Sequence, residues 1–361
     1  MLGGTRSGCY VFSMSWAEDW TVLLNGPRGR RLCLALIDPA HLSHWRPFLR
    51  RDAEPDLRSL AADLEAAVST TNLTAISSAN HELALMGALS QSVGAAMYWQ
   101  EPDREDRTLS NPEIYKLLEP VARSVVDSPA ARWWSTDVDL KDQQYTEWVN
   151  GVRSGPPSLL GARAQLESWR LATGADEEQA KMRPEDPSAS NSGYWWSVPI
   201  PSQLVCTTRG LPGLGAVKLV LAEDSSGWTE ARCWPLLPNS PARILDIRTP
   251  EDWVDLVARY PLNVSRSRRH DWWRTTGTAS AWLIPDWVAV ASDYDAVHLT
   301  VIGYLTTAGR AMPVLDACTV LAGWDPDQTF WLTDILTESG EPTEWSINQD
   351  GYGGMTARRA T

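Results

Sequence analysis

The sequence predicts an α+β protein: a helical N-terminal domain at residues 1–175, a linker at 176–193, a mixed α/β C-terminal domain at 194–338 and a flexible tail at 339–361. Three observations lead there. Amphipathic repeats at three-and-four spacing occupy much of the first half, a polar run with Pro and Ser interrupts the chain, and short β-branched segments then alternate with capped helices. At 43% hydrophobic and 21% charged residues over 361 positions, the chain can bury a large core, and its length suits two ordinary domains.

From Pro55 to Val68, Leu57, Leu60, Ala61, Leu64, Ala67 and Val68 share one face opposite Arg58, Asp63 and Glu65, which predicts a helix. Leu85, Met86, Leu89, Val93 and Met97 repeat the pattern across Asn80 to Trp99. Gly87 and Gly94 weaken that helix, and close packing against a neighbour would explain them. Asn111-Pro112-Glu113 combines a cap, a first-turn proline and an early carboxylate, so a third helix starts there, with a kink expected at Pro120. A fourth is expected from Leu159 to Leu171.

Beyond the linker, Val217 to Ala222 and Trp228 to Trp234 predict two strands paired as a hairpin across Glu223 to Gly227. Ile244 to Ile247 predicts a strand, and Thr249-Pro250-Glu251-Asp252 caps a helix that carries Trp253, Leu256, Val257 and Tyr260 and stops at Pro261. Pro285-Asp286-Trp287 opens a short helix. Strands are then expected at Ala296 to Leu305, Thr319 to Ala322 and Thr329 to Leu332.

Thirty-two Lys and Arg against 45 Asp and Glu give a net charge of −13, which argues against a dedicated nucleic-acid binder. Five scattered Cys at 9, 33, 206, 233 and 318 form no zinc or disulfide pattern. No apolar run is long enough to span a membrane, so a cytoplasmic protein is expected. His41 and His44 are the only closely spaced histidines, and their spacing carries little metal-site signal, so no metal is expected. Gly210-Leu211-Pro212-Gly213-Leu214-Gly215 precedes a predicted strand, the wrong context for a phosphate cradle. No motif names a cofactor. Twenty Trp beside three Phe are the unusual count, and indoles serve cores, stacking platforms and interfaces alike.

Two segments suggest chemistry. The block Asp295-Ala296-Val297-His298-Leu299-Thr300-Val301-Ile302-Gly303-Tyr304 resembles the last sequence block of the SGNH (GDSL-type) hydrolases, in which an aspartate three residues before a histidine orients the imidazole that activates a serine. The resemblance covers ten residues. It implies that Asp295 positions His298, yet the family's Gly-Asp-Ser is represented only by Glu223-Asp224-Ser225, without the glycine. Size and element order also look like an ADP-ribosyltransferase-type, NAD-using fold, although its Arg, Ser-Thr-Ser and Glu set finds no match residue by residue. The second segment sets Arg266, Arg268, Arg269, His270, Trp272, Trp273 and Arg274 within nine positions. Guanidiniums with interleaved indoles suit an anion beside a planar ring.

The expectation is an enzyme, a transferase or hydrolase, acting on a small polar or anionic molecule. His298 and Asp295 would form its acid–base pair, and residues 266–274 would hold the substrate. A non-catalytic, Trp-rich interaction module is the alternative, and it predicts a contiguous patch of exposed indoles and a protein partner.

Overall fold

In the computed structural model, residues 20–37, 56–149, 155–200, 204–224, 227–349 and 354–360 are described. The segment with His41 and His44 lies outside them, as does Ser225. The chain is α+β, with a helical N-terminal region followed by a mixed sheet with interspersed helices.

The amphipathic stripes form as their spacing predicts. Asp56 caps the helix Leu57–Thr70, which turns Leu60, Leu64, Ala67 and Val68 inward. Helix Glu82–Gly94 buries Leu85, Met86, Leu89 and Val93, but a Cβ on Gly87 would meet open space rather than a close neighbour. Asn111 caps the short helix Pro112–Tyr115, and the chain passes through a 3-10 turn into helix Glu119–Val126. Pro120 lies in the first turn of that helix, where a missing N–H breaks no ladder, so it starts a helix rather than kinking one. The fourth helix runs later and longer than expected, Ala162–Gln179, into the predicted linker.

The strands are β1 (Gln143–Val149), β2 (Cys206–Leu211), β3 (Gly215–Ala216), β4 (Glu230–Pro238), β5 (Ile244–Ile247), β6 (Pro261–Asn263), β7 (Leu283–Pro285), β8 (Ala296–Leu299), β9 (Met312–Val314), β10 (Ala317–Thr319), β11 (Thr329–Trp331), β12 (Leu336–Glu338), β13 (Thr343–Gln349) and β14 (Met355–Arg359). Ten of them make one sheet in the order β14-β13-β4-β1-β2-β11-β8-β5, with β12 on β4 and β3 on β2. β5 and β8 run parallel, with Asp246 opposite His298. Because β1 comes from the helical half and sits mid-sheet, the two halves share their architecture. One hydrophobic cluster extends from Leu23, Leu64 and Leu89 to Val297, Trp324 and Phe330.

Three expectations are corrected. Val217 to Ala222 is no strand: Val217–Leu219 is a 3-10 turn in a fully buried run. A short apolar run reads alike for a buried strand and a buried turn. The hairpin is therefore absent, and β4 pairs with β1, β12 and β13. The strand at Ala296 stops at Leu299, because the Thr300 hydroxyl accepts from the Gly303 N–H at 3.0 Å and caps helix Val301–Thr307. Finally, the segment expected to be a flexible tail carries β13 and β14, which bury Trp345, Ile347 and Met355. Alternation over so few residues leaves a polar-looking composition although one face is apolar.

The indoles are mainly core. Trp253, Trp287 and Trp324 meet edge to face around Phe330, and no tryptophan among the described residues is exposed. No helix among those residues is long and apolar enough to cross a membrane.

Candidate functional site

The two halves meet at a cleft of about 900 Å³. One wall comes from helix Pro27–Ala35 and the chain around Tyr98, and another from the end of helix Arg269–Thr276 and the turn at Arg310. Of the seven residues predicted to hold a ligand, Trp273 and Arg274 line this cleft. Helical geometry separates them from Trp272, whose ring is turned into the core and donates its indole N–H to the Trp195 carbonyl at 2.9 Å.

The cleft's guanidiniums differ in how they are held. Arg28 is buried against Asp106 and donates to the Ser92 carbonyl at 2.8 Å. Arg274 pairs with Asp271 and donates to the carbonyls of Trp99 and Asn191. Among the described residues the Arg30 guanidinium donates to the carbonyls of Leu24 (2.6 Å), Leu109 (3.2 Å) and Asn25 (3.3 Å), and it lies over the Tyr115 ring. Arg310 donates through Nη1 to the Thr306 carbonyl at 2.5 Å. Burial lowers the pKa of both, and the charge of Arg310 lowers that of Arg30 further. A guanidinium nevertheless stays charged in a protein, so this end of the cleft is cationic.

No protein-family model, curated protein or solved structure matches the chain. The site must be read from its own residues.

The rest of the cationic segment does not line this cleft. The backbone N–H groups of Arg266 and Ser267 cap onto Glu177. Arg268 is buried beside Asp176, and Arg269 donates to the Pro184 carbonyl. His270 is buried with its Nε2 unpaired, and burial followed by the charges of Arg269 and Arg274 lowers its pKa.

His298 does not reach the cleft. Its imidazole is buried in the sheet, where Nδ1 donates to Asp246 at 2.8 Å and Nε2 approaches Asp327 at 3.4 Å. Asp327 also accepts from the Arg209 backbone N–H (2.8 Å) and Nε (2.6 Å), while Asp246 accepts from Arg248 at 3.1 Å. The result is an alternating chain, Arg248–Asp246–His298–Asp327–Arg209. Burial pulls the imidazole pKa down, but the two carboxylates outweigh it and raise it. Both ring nitrogens face carboxylates inside the sheet, so neither is presented to a substrate in the cleft.

The expected Asp295–His298 pair is not formed. Residues three apart across a strand point to opposite faces, and Asp295 instead accepts from Arg243 Nη2 at 3.0 Å and from its backbone N–H at 2.8 Å. The orienting acids come from β5 and the turn before β11. Their only trace in the sequence is a carboxylate beside an apolar run, at Arg243-Ile244-Leu245-Asp246-Ile247 and Asp325-Pro326-Asp327.

One ionisable group behind the cleft has no motif around it in the sequence. Both Glu223 carboxyl oxygens are buried without a hydrogen bond of ordinary geometry. Around them lie the hydroxyls of Tyr98 and Tyr304, 3.4 Å apart, and the Arg28 guanidinium. Burial and the Asp325 charge push the carboxyl up to about 8. No cluster of three or more His, Cys, Asp or Glu suited to a metal ion occurs among the described residues.

Proposed function

We propose that the cleft binds a small anionic molecule that also carries a planar group. The observation that supports this reading is the convergence of Trp273 and Arg274 with Arg30 and Arg310, from three separate parts of the chain, on one cleft of about 900 Å³. A cleft of that size accommodates a ligand of cofactor or nucleotide dimensions. An indole supplies a face for stacking, and guanidiniums supply charge and donors.

In this reading residues 266–274 keep a binding role through their last two members, and His298 with its carboxylates holds the sheet together. Calorimetric titration with adenosine 5′-monophosphate, as a planar anionic probe, tests it. Saturable one-site binding is expected, weakened at least tenfold in Trp273→Ala, in the range that buried aromatic contacts contribute. Absence of saturable binding, or equal affinity in that variant, would overturn the proposal.

A further inference from the structure

We infer that the end of the cleft between Arg30 and Arg310 is a subsite for a doubly charged phosphoryl group. This deepens the reading of the cleft and rests on it.

The first support is charge balance. Arg28 has Asp106, Arg274 has Asp271, and Arg107 has Glu101 at 3.8 Å. Arg30 and Arg310 have no ion pair among the described residues, and their partners there are carbonyls. Carbonyls anchor a guanidinium without neutralising it, so two positive charges remain. Nearby acids are paired elsewhere: Asp103 and Glu105 pair with Arg31, and Asp106 pairs with Arg28 and Arg31, while Asp106 and Glu251 act on Arg30 and Arg310 through space, without an ion pair to either.

The second support is that folding holds the two cations together against their repulsion. Arg310 lowers the pKa of Arg30, on top of the burial that affects each. Two partly desolvated like charges near one another cost free energy, and an anion between them relieves both effects. Phosphoryl oxygens carry close to two negative charges near neutrality and accept several N–H donors, whereas a carboxylate carries one.

The third support is placement. Arg310 Nε and Nη2 make no hydrogen bond within the described residues, so Arg310 keeps donors for a ligand. Its turn is set by Gly309, which has φ +73° and whose Cβ, if present, would stand 2.6 Å from the Tyr98 ring. Only glycine fits there, and Arg310 is thereby held at the cleft wall. Arg30, which lines the same cleft, is fixed by three carbonyls and the Tyr115 ring.

The test is calorimetry on the full chain at low salt with inorganic phosphate, acetate, adenosine and adenosine 5′-monophosphate. Phosphate is expected to bind at one site, more tightly than acetate, and to strengthen as pH rises through its own second ionisation, while for adenosine 5′-monophosphate, a phosphomonoester, the rise falls at about pH 6. Arg310→Gln is expected to weaken phosphate at least tenfold and to bring the monophosphate down to the affinity of adenosine. Arg310→Lys, which keeps the charge but loses the planar fork, should fall between. Acetate binding as well as phosphate, or phosphate binding unchanged in Arg310→Gln, overturns the subsite. If adenosine binds and phosphate does not, the subsite fails while the cleft reading stands. If none of the probes binds, both fail.

Discussion

His298 Nδ1 lies 2.8 Å from Oδ1 of Asp246, its register partner on the parallel strand β5. Together with Asp327 on the other ring nitrogen, this puts the imidazole between two carboxylates that favour its protonated form. Removing it takes the shared partner from two carboxylates that keep only Arg248 and Arg209, so His298→Ala should destabilise the protein by about 3–5 kcal/mol, read from urea unfolding. Because the raised pKa belongs to the folded state, the imidazolium's contribution is complete below the ordinary histidine value and fades as pH rises through the folded one. The difference between wild type and variant should narrow accordingly. A fully stable His298→Ala protein would remove the structural role.

Glu223 carries the opposite lesson, a carboxyl that folding keeps protonated. Its value of about 8 against an ordinary 4.5 means that the folded state binds more protons throughout that interval. Stability must then decline as pH climbs across it. Relative to Glu223→Gln, which cannot titrate, the wild type is expected to lose up to about 1.4 kcal/mol per pH unit. Parallel unfolding curves of the two proteins across the whole range would contradict this.

Arg268 and Trp273 separate the two halves of the cationic segment. Arg268 is buried against Asp176, so Arg268→Gln should cost stability, about 3 kcal/mol or more for a broken buried pair, without altering adenosine 5′-monophosphate affinity. Trp273→Ala should do the reverse. Thermal melts and calorimetry on both variants check the separation.

Gly303 lies where helix Val301–Thr307 crosses β5. A Cβ there would stand 2.2 Å from the Ile247 carbonyl oxygen, which is backbone and cannot swing aside. Gly303→Ala should therefore destabilise by about 1–3 kcal/mol and displace the helix from the sheet. A melting temperature equal to wild type would show that the helix shifts freely.

Local chemistry was enough to read the first helices, the Thr249 capping box and β5, because spacing, caps and prolines act within a few residues. It was not enough at Val217 to Ala222, where a buried turn and a buried strand share one apolar composition, nor at Thr343 to Arg359, whose few apolar residues matter only once β4 offers a partner. The same division holds for the site. Trp273 and Arg274 were legible as residues suited to an anion beside a ring. Arg30, Arg310 and Glu223 were not, since nothing near them in the chain says that they converge. Which acid faces His298 was equally hidden: strand alternation turns Asp295 away, and parallel pairing brings Asp246 in from 52 positions upstream. Charges find their partners through sheet register and packing, long-range relations that no short stretch of sequence contains.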